Sequence, residues 1–216
     1  MGTRTEDKRL TELREAGHTI YSISRLDCMN NCLYEAYKTY VLHEKGKDNI
    51  YAALGGRIHD TLEAIVNNEA TEADLLPAMN DELEDMELLD LQFPKDRDGG
   101  DSIKDNWIKD MTHFANTYRS PRNKQLTTED LIIYKTNDGH YLQGFIDLYW
   151  TRKNGEIDIY DYKTSTLYSG KDIANHARQL ILYALAKEQE GFKVRNASWI
   201  FLKYLDVTFQ GYKTAK

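Results

Sequence analysis

The chain has 216 residues, 41% of them hydrophobic, and a formal net charge of −7. That length fits one domain, a compact core with a helical extension, and the lack of any run of eighteen apolar residues excludes a membrane-spanning helix. The negative balance speaks against a protein that coats nucleic acid nonspecifically, because such proteins carry a basic excess.

The N-terminus is charged and lacks the apolar stretch of a secretory signal, so a cytoplasmic protein is expected. Residues 5–16 read as a polar, frayed helix and residues 19–23 as extended. Ser22 or Ser24 can cap a helix reaching residue 43, with Leu26, Cys28, Cys32, Leu33, Ala36, Tyr37, Tyr40 and Val41 at helical spacing. Cys28 and Cys32 stand four apart and so share a face, which reads as two buried thiols packed together. Two further helices follow, over residues 49–68 (Leu54, Ile58, Leu62, Ile65, Val66) and, strongly acidic, over 72–89. Phe93-Pro94 and Gly99-Gly100 break the pattern. These make residues 20–100 a helical part, and a helix over 102–118 opens the core.

The character changes at Thr127. Residues 131–134 read as a strand, Asn137-Asp138-Gly139 as a hairpin turn, and residues 141–150 as a second strand. Lys153-Asn154-Gly155 makes another tight turn before a third strand over 156–163. A helix over 172–190 leads to a fourth strand over 197–204, with a fifth at 207–211. Short hairpins make the first three strands antiparallel neighbours, and the crossover helix returns the fourth to the same sheet in parallel. The expected fold is α/β (α+β) with a mixed sheet, one domain with its core over residues 101–205.

Three places carry chemistry. Asp161 and Lys163 sit on one face of the third strand, with Tyr162 on the other. A carboxylate there can hold a cation, and the amine can orient water or offset phosphate charge. Alone the pattern is weak, since Glu6-Asp7-Lys8 repeats it. Counting outward from Asn154, however, Asp147 and Asp161 are each seven residues away, which makes them cross-strand neighbours. Two carboxylates so placed, in apolar strands, repel unless a cation or proton lies between them. On the helix over 49–68, Gly55 and Gly56 permit close approach, His59 offers an imidazole, and Glu63 follows one turn later. On the helix over 172–190, Gln179 and Tyr183 share a face and suit phosphate or sugar contacts.

Taken in order, Gly55…His59, Gly144-Phe145-Ile146-Asp147, Asp161-Tyr162-Lys163 and Gln179…Tyr183 resemble the RecB-type branch of the PD-(D/E)XK nuclease superfamily, including its CRISPR-associated and AddB-type members. The segment Ser22-Ile23-Ser24-Arg25-Leu26, with Cys32 and Tyr34, resembles the start of that module. The resemblance covers residues 20–205. It implies an αβββαβ core and a metal held by His59, Asp147, Asp161 and the Tyr162 carbonyl. It further implies Lys163 as catalytic lysine, Gln179 and Tyr183 on the substrate side, and Glu129 and Glu63 as outer partners. The cofactor expected is Mg²⁺ or Mn²⁺, since hard oxygens suit the first and an added imidazole moves preference toward the second. No iron–sulfur cluster is expected, because the three late cysteines of some relatives are missing. Truncation ahead of such a segment is the other reading of that absence.

The implied activity is metal-dependent hydrolysis of DNA phosphodiesters, as an exonuclease by resemblance, with recombination, repair or phage proteins as partners. Two rivals remain open from the residues. One is a nuclease-like module that binds DNA ends or a protein without cutting, and the other is a metal-dependent phosphodiesterase acting on RNA.

Overall fold

The computed structural model describes residues 7–44, 46, 49–121 and 124–204. The strand expected at 207–211 lies outside them. The chain runs α1 (Lys8–Glu15), β1 (Ile20–Ser22), α2 (Ile23–Asn31), α3 (Leu33–Tyr40), α4 (Ile50–Val66) and α5 (Leu75–Leu88). It continues through α6 (Ser102–Thr117), β2 (Gln125–Lys135), β3 (Tyr141–Thr151), β4 (Glu156–Lys163), α7 (Lys171–Gln189) and β5 (Lys193–Phe201).

Local chemistry sets these boundaries. The Ser22 hydroxyl accepts from the Arg25 N–H at 3.1 Å and opens α2. The Asn49 side-chain Oδ1 accepts from the Tyr51 N–H at 2.9 Å and opens α4. Gly139 (φ 88°) and Gly155 (φ 82°) supply the left-handed positions of the two hairpin turns.

The single helix expected up to residue 43 is in fact two. Cys32 is extended (φ −154°, ψ 102°), ends α2 and caps α3 through its sulfur. Apolar spacing continues across the break, so periodicity alone does not reveal it. The expected pair of buried thiols is also corrected: Cys28 is half-buried and Cys32 is exposed. The fourth strand is shifted, covering Lys193–Phe201 and ending in a 3-10 turn at Leu202–Tyr204.

The five strands form one mixed sheet. β2 lies antiparallel along the whole of β3. The other edge of β3 is shared: β1 pairs with it in parallel at Tyr141–Gln143, and β4 pairs antiparallel at Leu148–Thr151. β5 lies parallel to β4, as a crossover through α7 requires. Residues 144–147 thus fall between the two partners on that edge, and there the sheet opens.

Helices cover both faces. One layer is α4, α5 and α6, around Leu54, Leu62, Met111 and Phe114, packed on Leu148, Tyr162 and Ile200. The other is α7, whose Leu182, Tyr183 and Ala186 pack on Ile132, Ile146, Ile157 and Ile159. Lys187 of α7, only 3% exposed, is held by Asp130 at 2.5 Å and Glu190 at 2.7 Å. Asp158, fully buried in β4, is bound by Arg152 (2.7 Å) and by two nitrogens of Arg195 (2.7 and 2.9 Å). Among the described residues, no helix is long and apolar enough to cross a membrane.

Candidate active site

The opening beside β3 is where the sequence-marked residues collect. The β3–β4 register, Leu148 opposite Tyr160, places Asp147 opposite Asp161 one step beyond the last ladder pair. The hairpin count is therefore right in register, but the strands have already parted. Asp147 fills the gap: its Oδ2 accepts from the Tyr162 backbone N–H at 2.6 Å. A side chain thus satisfies a ladder donor that would otherwise lack a partner.

On the other side of β3, the β2 register places Glu129 opposite Asp147. Glu129 has φ 49°, a conformation that non-glycine residues adopt rarely and that marks strain held in place by the surroundings. It also resets the alternation of β2. Ile132 packs on the α7 side and Asp130 reaches Lys187 there, whereas Leu126, an even number of residues away, packs on the α4–α6 side. On β3, Ile146 faces α7 and Leu148 faces the α4–α6 layer. The two strands therefore change facing together at the Glu129–Asp147 pair.

His59 comes from α4. A Cβ on Gly55 would lie 3.4 Å from Oγ1 of Thr164, so the glycine lets α4 lie close against the end of β4. Gly56 faces open space, with nothing within 4 Å of such a Cβ. The His59 Nδ1 stands 3.6 Å from Asp147 Oδ1, and its ring meets Tyr162 edge-on at 6.0 Å. One ligand atom each from His59, Glu129 and Asp147 lies within 4.8 Å of the others, and this group could hold a metal ion. Glu129, an outer partner by sequence reasoning, is thus inside the group. Asp161 is outside it, 1% exposed and ion-paired with Lys163.

Lys163 lies on the α7 side. Its Nζ donates to Oε1 of Gln179 at 3.4 Å, and Nε2 of Gln179 donates to the Tyr183 hydroxyl at 2.7 Å. Tyr183 is buried, and its Cε1 stands 2.9 Å from where a Cβ on Gly144 would be. Gly144 is therefore the space that Tyr183 occupies. A cleft of about 330 Å³ runs from Ser22, Ser24 and Asp27 to Asp147, Gln179 and Tyr183. A second, of about 610 Å³, is lined by Arg9 and Arg14 with Glu63 and Glu129. Phe145 lines both.

The protonation behaviour of these groups is consistent with their packing. Burial pushes the Asp161 carboxyl up to about 6, Lys163 opposing and the Asp147 charge adding to it. Burial works against a charged imidazole at His59, yet Asp147 and then Asp161 hold its pKa above the ordinary value. Burial likewise opposes the Lys163 ammonium, and Asp161 and Asp147 outweigh it. The Tyr183 phenol is pushed up by burial, with Asp161 and Asp147 adding to it. The acids outweigh burial at His59 and Lys163 and add to it at Asp161 and Tyr183, so the site carries surplus negative charge, the condition under which a cation is retained.

A family model described as the PD-(D/E)XK nuclease superfamily matches residues 20–212. The chain belongs to the PD-(D/E)XK nuclease superfamily. Among solved structures, it is similar to a Eubacterium rectale protein named "Putative exonuclease". The TM-score is 0.50 at 11% identity, over 93% of this chain and 74% of that one, a likeness that concerns the fold alone. No curated protein matches the chain.

In this PD-(D/E)XK nuclease, Asp161 and Lys163 form an ion pair at the end of β4. Sequence reasoning left Glu129 outside the group that could hold a metal, and the signal that places it there is its register opposite Asp147. It also missed Tyr168 and His176, whose rings stack with centroids 3.8 Å apart.

Proposed function

We propose that this nuclease hydrolyses DNA phosphodiesters with a divalent cation, as an exonuclease of the RecB-like branch serving recombination, repair or phage DNA processing. The observation that carries the reading is the convergence of His59, Glu129 and Asp147 beside the Asp161–Lys163 pair. The donor set fits Mg²⁺ or Mn²⁺: two carboxylates supply hard oxygens and one imidazole favours the second. Asp161 fits as well, because its ionised form is disfavoured where it sits and positive charge nearby would relieve that.

When bound, the cation would act as a Lewis acid, lowering the pKa of water and holding the scissile phosphate. Asp147 presents Oδ1 to it and is fixed through Oδ2 by Tyr162. His59 and Glu129 would hold it with Asp147, and Asp161 and the Tyr162 carbonyl would be the further ligands with substrate bound. Lys163 stays charged between Asp161 and Gln179, ready to offset charge building on phosphate oxygens. Gln179 and Tyr183 act as positioning residues for Lys163, with the Gln179 edge turned to substrate, and Glu63 supports the Glu129 side.

The test is incubation of end-labelled linear, closed circular and single-stranded DNA, and of RNA, with Mn²⁺, Mg²⁺ or EDTA. Metal-dependent loss of linear DNA from its ends, with circles spared, is the expected result. Binding of ends without cutting in any metal overturns the reading, and cleavage of RNA alone replaces the substrate.

A further inference from the structure

Tyr168, in the segment between β4 and α7, and His176, on the first turns of α7, form a parallel ring stack with centroids 3.8 Å apart and an interplanar angle of 9°. Tyr168 is packed against two further rings. Trp199 meets it edge-on at 5.2 Å and Phe201 at 5.0 Å, and both are core residues of β5, 3% and 2% exposed. His176 is exposed. The stack thus has a half-buried inner ring, seated on the core, and an outer ring that solvent reaches.

Its location gives it meaning. His176 and Gln179 are three apart on α7 and share a face, and Gln179 accepts from Lys163 at 3.4 Å. Burial, and after it the Lys163 ammonium, hold the His176 imidazole below its ordinary pKa. Tyr168 in turn is among the groups that act on Lys163. The outer ring is therefore a flat heteroaromatic one helical turn from the glutamine that meets the ammonium assigned to the phosphate. Aromatic platforms beside a cationic groove are how proteins hold unpaired nucleotides, because every base has a π-face.

We infer that the Tyr168–His176 stack is a nucleobase-binding platform, on which one unpaired base of the substrate strand stacks against His176 while its phosphate lies at Lys163. This rests on the nuclease reading for the phosphate, but the stacking itself can be measured without cleavage.

The experiment uses the full chain in EDTA at low salt, with fluorescein-labelled single-stranded oligonucleotides each carrying one abasic nucleotide at a different position. Fluorescence anisotropy gives the affinities for wild type, His176→Ala and His176→Phe. His176→Ala is expected to bind the intact oligonucleotide about 5-fold more weakly or worse, from the lower end of base–aromatic stacking energies. His176→Phe should bind like wild type, since a phenyl ring stacks but cannot hydrogen-bond. At one abasic position, wild type should bind as weakly as His176→Ala, with no further loss on combining the two changes.

His176 is exposed, so neither change removes core packing, and thermal unfolding checks that both variants fold. Overturning results are equal losses in the Ala and Phe variants, an Ala loss unaltered by every abasic position, no Ala loss at all, or no binding by wild type. If the pattern appears but no metal permits cleavage, the nuclease reading falls and the platform stands. If cleavage is normal and the pattern is absent, the reverse holds.

Discussion

Asp147 and Tyr162 are joined by a 2.6 Å hydrogen bond from the tyrosine backbone N–H to the aspartate carboxylate, just where the β3–β4 ladder ends. One side chain therefore closes the sheet and faces His59. The two duties separate by substitution. Asp147→Asn keeps an acceptor for the N–H and drops the charge that Asp161 opposes, so the metal-free protein should be as stable as wild type or more so, yet inactive. Asp147→Ala leaves a buried donor without a partner and should lower stability by about 1–3 kcal/mol. Chemical denaturation alongside a cleavage assay checks both, and an active Asn variant would remove Asp147 from the site.

Glu129 shares the donor group with His59 and has φ 49°. Glu129→Gln keeps the shape and weakens a ligand. Calorimetric Mn²⁺ titration should show affinity falling by at least about tenfold, since even outer partners of a metal are worth about 10- to 100-fold. His59→Ala should fall similarly. Unchanged titration in either variant assigns that residue elsewhere.

Gly144 and Tyr183 occupy one space. Gly144→Ala should destabilise the protein by about 1–3 kcal/mol through overpacking and shift Gln179. Tyr183→Phe removes only the hydroxyl that Gln179 binds. If that chain positions Lys163, kcat should fall by about 2- to 10-fold, the scale of one net hydrogen bond, with KM nearly unchanged. A rise in KM alone would make Tyr183 a substrate contact instead.

Asp158 and Asp161 are both buried in β4, but Asp158 is saturated by two arginines on the side away from the opening. Asp158→Ala removes the partner of two partly exposed cations and should lower stability by about 1–3 kcal/mol, the scale of lost charge-assisted hydrogen bonds. Activity per folded molecule should persist, as read by cleavage at low temperature after correction for the folded fraction. Asp161→Ala should do the opposite, abolishing cleavage while the fold remains.

The sequence makes the hairpin that joins β3 and β4 plain, because turn residues and the seven-residue count to each aspartate are local facts. It makes Asp161 and Lys163 plain for the same reason. The pairing of β1 with β3 is not legible, since three residues carry no periodicity and the partner is far along the chain. The break at Cys32 is hidden because its neighbours keep helical spacing on both sides. Glu129 is read only as an outer partner, since its place depends on a positive φ and on register across a second hairpin. His176 escapes notice altogether: its partner Tyr168 sits in a loop, and nothing in sequence spacing stacks two rings across it.

Crystals of the protein soaked in Mn²⁺ and measured for anomalous scattering test the central claim most directly. A peak is expected at coordination distance from Asp147 Oδ1, His59 and Glu129, with the Asp161 carboxylate and Lys163 Nζ bordering it. A map with no peak there at millimolar Mn²⁺, or with the ion bound only on the acidic surface of α5, would contradict it.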